Sequence, residues 1–245
     1  MKKPSNDNKN FRTTAISVLY FEGGGRYDGE ISDGKPNGQG VMKYASGDRY
    51  EGKFRAGKRN GQGVMKYTNG DRYEGEYRDD IASGRGTYYF ANGDCYKGEF
   101  CDDRPNGRGI FYTANGDRFE GEFRDGIRNG YGTYYLANGD RYEGEFRDGR
   151  MNGKGKIYRC GKGSFEGEIR DGVANGYGIE YLENGDRYEG EFRDGKKNGE
   201  GVMYFSNGDR FEGDFEDNLP SGYGWYIYKD GERSRVRCIG GEFYE

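Results

Sequence analysis

In the segment Arg141-Tyr142-Glu143-Gly144-Glu145-Phe146-Arg147, polar and aromatic positions alternate with a period of two. Side chains of a strand point alternately to its two faces, so Tyr142, Gly144 and Phe146 share one face while Arg141, Glu143, Glu145 and Arg147 share the other. The segment is predicted as a strand. After it, Asp148-Gly149-Arg150-Met151-Asn152-Gly153 reads as a polar loop bounded by glycines. An extended run such as Gly132-Thr133-Tyr134-Tyr135-Leu136 supplies a second strand, and Asn138-Gly139-Asp140 closes the unit. Asn-Gly tolerates the positive φ of the favoured hairpin turns, so a short antiparallel connection is expected there.

The pattern recurs every 23 residues without a gap. Counted from the aromatic residue, nine repeats run 27–49, 50–72, 73–95, 96–118, 119–141, 142–164, 165–187, 188–210 and 211–233. Of the 48 glycines, 41 fall at five positions of the repeat. Glycine held in register answers a backbone demand, either positive φ or close approach of neighbouring groups, which a flexible linker does not impose. No stretch shows helical periodicity, and no connection is long enough for a parallel crossover. The expected fold is all-β: an elongated, single, twisted antiparallel sheet, a meander of nine tandem hairpins. At ~4.8 Å per strand it would extend on the order of 90 Å. Residues 16–26 match the second strand and turn of the unit and are expected to cap the array as a half-repeat. Residues 234–245 are expected to add a C-terminal cap strand, and residues 1–15 to form a disordered polar tail.

The two faces carry different chemistry. The Arg-Glu-Glu-Arg ladder of Arg72, Glu74, Glu76 and Arg78 returns at Arg187, Glu189, Glu191 and Arg193, and reads as a solvated row of cross-strand pairs. On the other face the repeated glycines leave room for aromatic rings to lie over bare backbone. A single sheet has no second layer, so part of this face is expected to stay reachable and to bind partners. The candidate groove is lined by Met42, Tyr44, Met65, Tyr67, Tyr88, Phe90, Phe111 and Tyr134, each of which would otherwise be plain core. Tyr89, Tyr112, Tyr135, Tyr158, Tyr181 and Tyr204 form a second stripe beside the arginines, where they are expected to cover arginine stems or make cation–π contacts. The pattern breaks after Cys160, at Gly161-Lys162-Gly163-Ser164, which replaces Asn-Gly-Asp-Arg and should change both turn geometry and outer charge.

Composition narrows the function. Tyr and Phe number 24 and 15, which excludes disorder for the body of a chain that is one-third charged. The net charge of −4, with both signs interleaved, argues against nucleic acid and against a broad anionic-membrane surface. Cys95, Cys101, Cys160 and Cys238 form no Cys-x-x-Cys pair and there is no histidine, so no metal site is expected and the thiols read as reduced. Cys95 and Cys101 lie too far apart along one strand for a disulfide. Paired carboxylates such as Glu120 and Glu122 recur in most repeats as strand-face residues, and the Gly-x-Gly of each repeat lacks the context of a nucleotide fingerprint. Neither catalysis nor a cofactor is expected. The apolar run from Ala15 to Phe21 is far shorter than a membrane span, and a cytoplasmic location is the expectation.

The consensus Tyr-Glu-Gly-Glu-Phe, Asp-Gly, Asn-Gly-x-Gly, Asn-Gly-Asp, present in nine copies, resembles the MORN (membrane occupation and recognition nexus) repeat family. The resemblance implies an elongated hairpin sheet that acts as a non-enzymatic scaffold or adaptor in a cytoskeletal, ciliary or cortical assembly. It implies a protein partner held as a helix or extended peptide in the groove. The family name also suggests an alternative, a peripheral adaptor that binds membrane phospholipid. Terminal strands expose sheet edges, so homodimerisation through the terminal repeats is a further expectation.

Overall fold

The computed structural model describes residues 16–244; the expected tail at 1–15 lies outside them. Among the described residues there are 21 strands and no helix, and the strands belong to one antiparallel sheet. The chain divides into two compact units, one holding residues up to Asn92 together with Glu99–Arg104, the other Gly93–Gly98 and the residues from Pro105 onward. Each repeat supplies a strand of seven residues, such as Arg49–Arg55 or Arg187–Arg193, then one of nine, such as Lys58–Lys66 or Lys196–Tyr204. The exceptions adjoin residues 160–162, where the second strand of one repeat, Arg150–Arg159, has ten residues and the first strand of the next, Gly163–Arg170, has eight.

The turns differ from expectation in a way the dihedrals explain. Arg150–Gly153 is not loop: the second strand is Arg150–Arg159, and only Asp148 and Gly149 turn the chain. Both have positive φ, 49° and 81°, the combination a two-residue hairpin requires to match strand twist. A bulge between Gly144 and Phe146 absorbs the difference in strand length, pairing Phe146 with Met151 and Gly144 with Gly155. At the other end, Asn138-Gly139 is a hairpin turn as predicted, but only Gly139 has positive φ, 92°. The Gly139 N–H donates to Leu136 O at 3.0 Å and the Leu136 N–H to Asp140 O at 2.9 Å, closing a three-residue turn. Asn138 serves through its side chain, whose Oδ1 accepts the Asp140 N–H at 2.9 Å.

The core is a row of rings laid on glycine. Tyr27, Tyr50, Tyr73, Tyr96, Phe119, Tyr142, Phe165, Tyr188 and Phe211 are the most deeply buried large side chains. A methyl group on Gly155 would stand 2.5 Å from Tyr142 Cε2, and one on Gly144 would stand 2.4 Å from Tyr142 Oη. The glycines are therefore the floor on which each ring rests, as the parity of the strand implies. The Tyr142 hydroxyl donates to Glu145 O at 2.9 Å, which satisfies its one polar atom.

In the first unit the rings of Tyr27, Phe54, Tyr50, Tyr77, Tyr73 and Phe100 meet edge to face in an unbroken series, with centroids 4.9–5.2 Å apart. The second unit has two such series, Tyr96 to Tyr142 and Phe165 to Phe211. They are separated where Ile169 stands in place of Phe. Edge-to-face contact sets the positive ring edge against the negative face of its neighbour, so the array gains more than its area alone.

The termini pair as strands. Ile16–Tyr20 is antiparallel to Arg26–Ser32. The C-terminal segment holds two strands, Arg233–Ile239 and Glu242–Tyr244, paired with each other. Phe243 packs against Phe211 at 5.1 Å and Tyr226 at 5.2 Å, standing over the aromatic face where the ninth repeat has no successor.

Candidate functional site

Six of the eight groove residues belong to the first unit. Met42 and Met65 are buried, opposite Tyr27 and Tyr50 and opposite Tyr50 and Tyr73 respectively, and form floor rather than rim. Tyr44, Tyr67, Tyr88 and Phe90 are half-buried. The Tyr88 ring stands 6.2 Å from Tyr67 and 4.6 Å from Phe90, so these three make a contiguous aromatic cluster. Beside it, Arg59 lies over Tyr77 at 4.8 Å and binds Asp80 at 3.2 Å. In the second unit Phe111 and Tyr134 are half-buried, and Arg128 lies over Tyr134 at 5.0 Å.

Aspartates anchor Tyr88 and Tyr134. Asp71 Oδ2 accepts the Tyr88 hydroxyl at 2.8 Å while Oδ1 accepts the Ala91 N–H at 2.8 Å, tying one turn to the next. Asp117 does the same with Tyr134 at 2.9 Å and Ala137 at 2.9 Å, and Asp209 with Tyr226 at 3.0 Å and Lys229 at 2.9 Å. The bond from Tyr88, and then the Ala91 amide, hold the Asp71 carboxyl below the usual carboxylate range. Burial, and then the same bond to Asp71, push the Tyr88 hydroxyl up. In the sequence the Asn-Gly-Asp aspartate reads only as a turn residue. Its recurrence 20 residues before a turn amide was the available signal.

Two clusters on this face were not foreseen. Phe205, Tyr226 and Tyr228 repeat the arrangement of Tyr67, Tyr88 and Phe90, with Phe205 at 5.9 Å and Tyr228 at 5.1 Å from Tyr226, and Phe243 covers part of it. At the irregular repeat, Arg159 and Lys197 bind Glu180 at 3.5 and 3.1 Å, and Lys197 is the one buried charged residue among those described. Glu180 occupies the place of Tyr88. Its aspartate partner is missing because Gly163 stands there.

A family model described as MORN repeat matches residues 27–49, 50–72, 73–95, 96–118, 119–141, 142–164, 165–187, 188–210 and 211–233. The chain belongs to the MORN repeat family. Among solved structures, these MORN repeats are similar to the TCP10 domain of Danio rerio CPAP in complex with a peptide of Danio rerio STIL. That likeness has 12% identity and a TM-score of 0.44, covering 91% of this chain and 100% of that one. They are also similar to the SAS-4 (dCPAP) TCP domain of Drosophila melanogaster in complex with a proline-rich motif of Ana2 (dSTIL), at 15% identity and a TM-score of 0.33, covering 86% and 93%. Likeness at this level carries no argument about function. No curated protein matches the chain.

On the opposite face of the MORN sheet the carboxylates have structural partners. Arg118 binds Glu120 at 3.1 Å, Arg141 binds Glu143 at 3.2 Å and Arg187 binds Glu189 at 3.4 Å. Four tyrosines of the stripe lie beneath arginines, as expected: Arg72 over Tyr89 at 5.2 Å, Arg118 over Tyr135 at 4.3 Å, Arg141 over Tyr158 at 4.2 Å and Arg187 over Tyr204 at 4.2 Å. The four cysteines are free thiols, and no group of three or more potential metal ligands stands together among the described residues.

Proposed function

We propose that this MORN repeat protein is a non-enzymatic scaffold or adaptor that binds a protein partner on its aromatic face, as an extended peptide or a helix. The observation that carries the reading is the cluster of Tyr67, Tyr88 and Phe90, three half-buried rings in which Tyr88 touches both neighbours and is itself held by its bond to Asp71. Rigid aromatic rings give a partner large contact area at little cost in side-chain entropy, which is why they dominate the centres of protein interfaces. The assembly we assign it to, cytoskeletal, ciliary or cortical and reached from the cytoplasm, rests on what members of the family do.

Affinity capture from the native cell with the full chain and with Tyr88→Ser/Phe90→Ser tests the reading. The double variant is expected to lose the partners that the native chain retains. An unchanged partner set would remove this cluster from the interface. Flotation with phosphatidylserine vesicles at physiological salt separates the lipid alternative, since strong recruitment there would favour a membrane adaptor over a protein-binding one.

A further inference from the structure

Arg72, Arg118, Arg141 and Arg187 each lie over the tyrosine of the following strand, and each also binds the glutamate two residues on. Cys95 and Ser164 break this series, and at Ser164 the break leaves a depression. Ser164 is paired across the sheet with Tyr158 on one side and Tyr181 on the other, the positions that Tyr135 and Tyr158 hold around Arg141. Tyr158 already carries Arg141, whereas Tyr181 has lost the arginine that would lie on it and is 42% exposed. In place of that side chain is a depression of about 330 Å³ lined by Lys156, Tyr158, Ser164, Phe165, Glu166 and Tyr181.

We propose that this depression receives the guanidinium group of an arginine on a protein partner, which stacks on Tyr181 and shares the Glu166 carboxylate with Lys156. The chain itself supplies the template, because the same pair of strands binds its own arginine in this way in the neighbouring repeats. Lys156 stands where other repeats place Val41, Val64, Thr87 or Thr133, and it binds Glu166 at 2.7 Å. It replaces the missing charge but not the missing plane. An ammonium group is compact and strongly hydrated, while a guanidinium can stack on a ring and donate to a carboxylate at once, so the site selects arginine over lysine. The site lies on the face opposite the aromatic cluster and stands or falls independently of it.

The test is a titration of the full chain with the peptide acetyl-Gly-Arg-Gly-amide, followed by the NMR signals of labelled tyrosine rings. The Tyr181 ring signals are expected to move saturably, and the lysine analogue to bind at least threefold more weakly. Ser164→Arg restores the residue of the regular repeats and should abolish the response without lowering the melting temperature. Lys156→Val frees Glu166 and should tighten binding at least threefold. Absence of a saturable shift, equal binding in Ser164→Arg, or weaker binding in Lys156→Val would each overturn the proposal. Displacement of the peptide by inorganic phosphate would do so too, by showing an anion site centred on Lys156.

Discussion

Residues 65–90 and 157–182 cover the same stretch of the repeat, four repeats apart, and share their strand register on either side of a turn whose dihedrals differ, while presenting different surfaces. Both set an aromatic residue, Tyr73 or Phe165, over a pair of glycines, and both bury it. Around that ring, Met65, Tyr67, Tyr88 and Phe90 correspond to Ile157, Arg159, Glu180 and Leu182, and Asp71 corresponds to Gly163. The loss of the aspartate and the gain of Glu180 belong together. An aspartate at 163 would face Glu180, and a Cβ there would stand 1.9 Å from Tyr181 O. One set of positions specifies the fold, and a different set is free to specify what each face binds.

The largest effects should come from the positions the two regions share. Tyr73→Ala and Phe165→Ala are each expected to cost about 3–5 kcal/mol in urea melts, the range for deleting a buried ring. A large difference between the two would break the claim of a common core. Alkali reaches the tyrosines of the same core row without mutation. Burial pushes the hydroxyls of Tyr27, Tyr50 and Tyr142 up to about 12. A group whose folded pKa is raised contributes stability in full below its unfolded value, near 10, and that contribution is lost as pH rises toward the folded one. Unfolding is therefore expected between about pH 10 and 12, followed by tyrosinate absorbance.

Next in size are the glycine floors. Gly86→Ala puts a methyl 2.5 Å from Tyr73 Oη, and Gly178→Ala puts one 2.4 Å from Phe165 Cε2. Each should destabilise by about 1–3 kcal/mol through overpacking. The regions should then diverge at the anchoring position: Asp71→Ala is expected to cost about 1 kcal/mol by leaving the Ala91 amide without its acceptor, whereas Gly163→Ala should cost more through backbone contact. Tyr77→Phe is the smallest. The Tyr77 hydroxyl is buried without a hydrogen-bond partner among the described residues, so its removal should stabilise by about 0.5–1 kcal/mol, read as a raised urea midpoint.

Most of the architecture was legible because it is written in positions that repeat. Period-two alternation, fixed glycines and Asn-Gly turns define strands and register, and nine copies average out local exceptions. The turn at Asp148-Gly149 was missed because Arg150-Met151-Asn152-Gly153 is polar and glycine-bounded. Polarity there reflects a strand face whose side chains meet solvent and Phe146, not loop. The groove was legible only in part. Parity identifies which face Met42 and Tyr88 share, but not depth, and depth separates the buried Met42 from the half-buried Tyr88. The Asp71 bond, the Glu180 cluster and the vacancy at Ser164 depend on residues brought together from adjacent repeats, and single-repeat reading hides them.

The central claim is that the Tyr67, Tyr88 and Phe90 cluster is a binding surface and not merely core. Hydrogen exchange of the full chain, free and bound to a partner captured from the native cell, tests it most directly. The account predicts that protection on binding concentrates at residues 65–91 and is lost in Tyr88→Ser/Phe90→Ser, while the melting temperature of that variant stays within a few degrees of native. Protection confined to other repeats, with residues 65–91 unchanged, would contradict it.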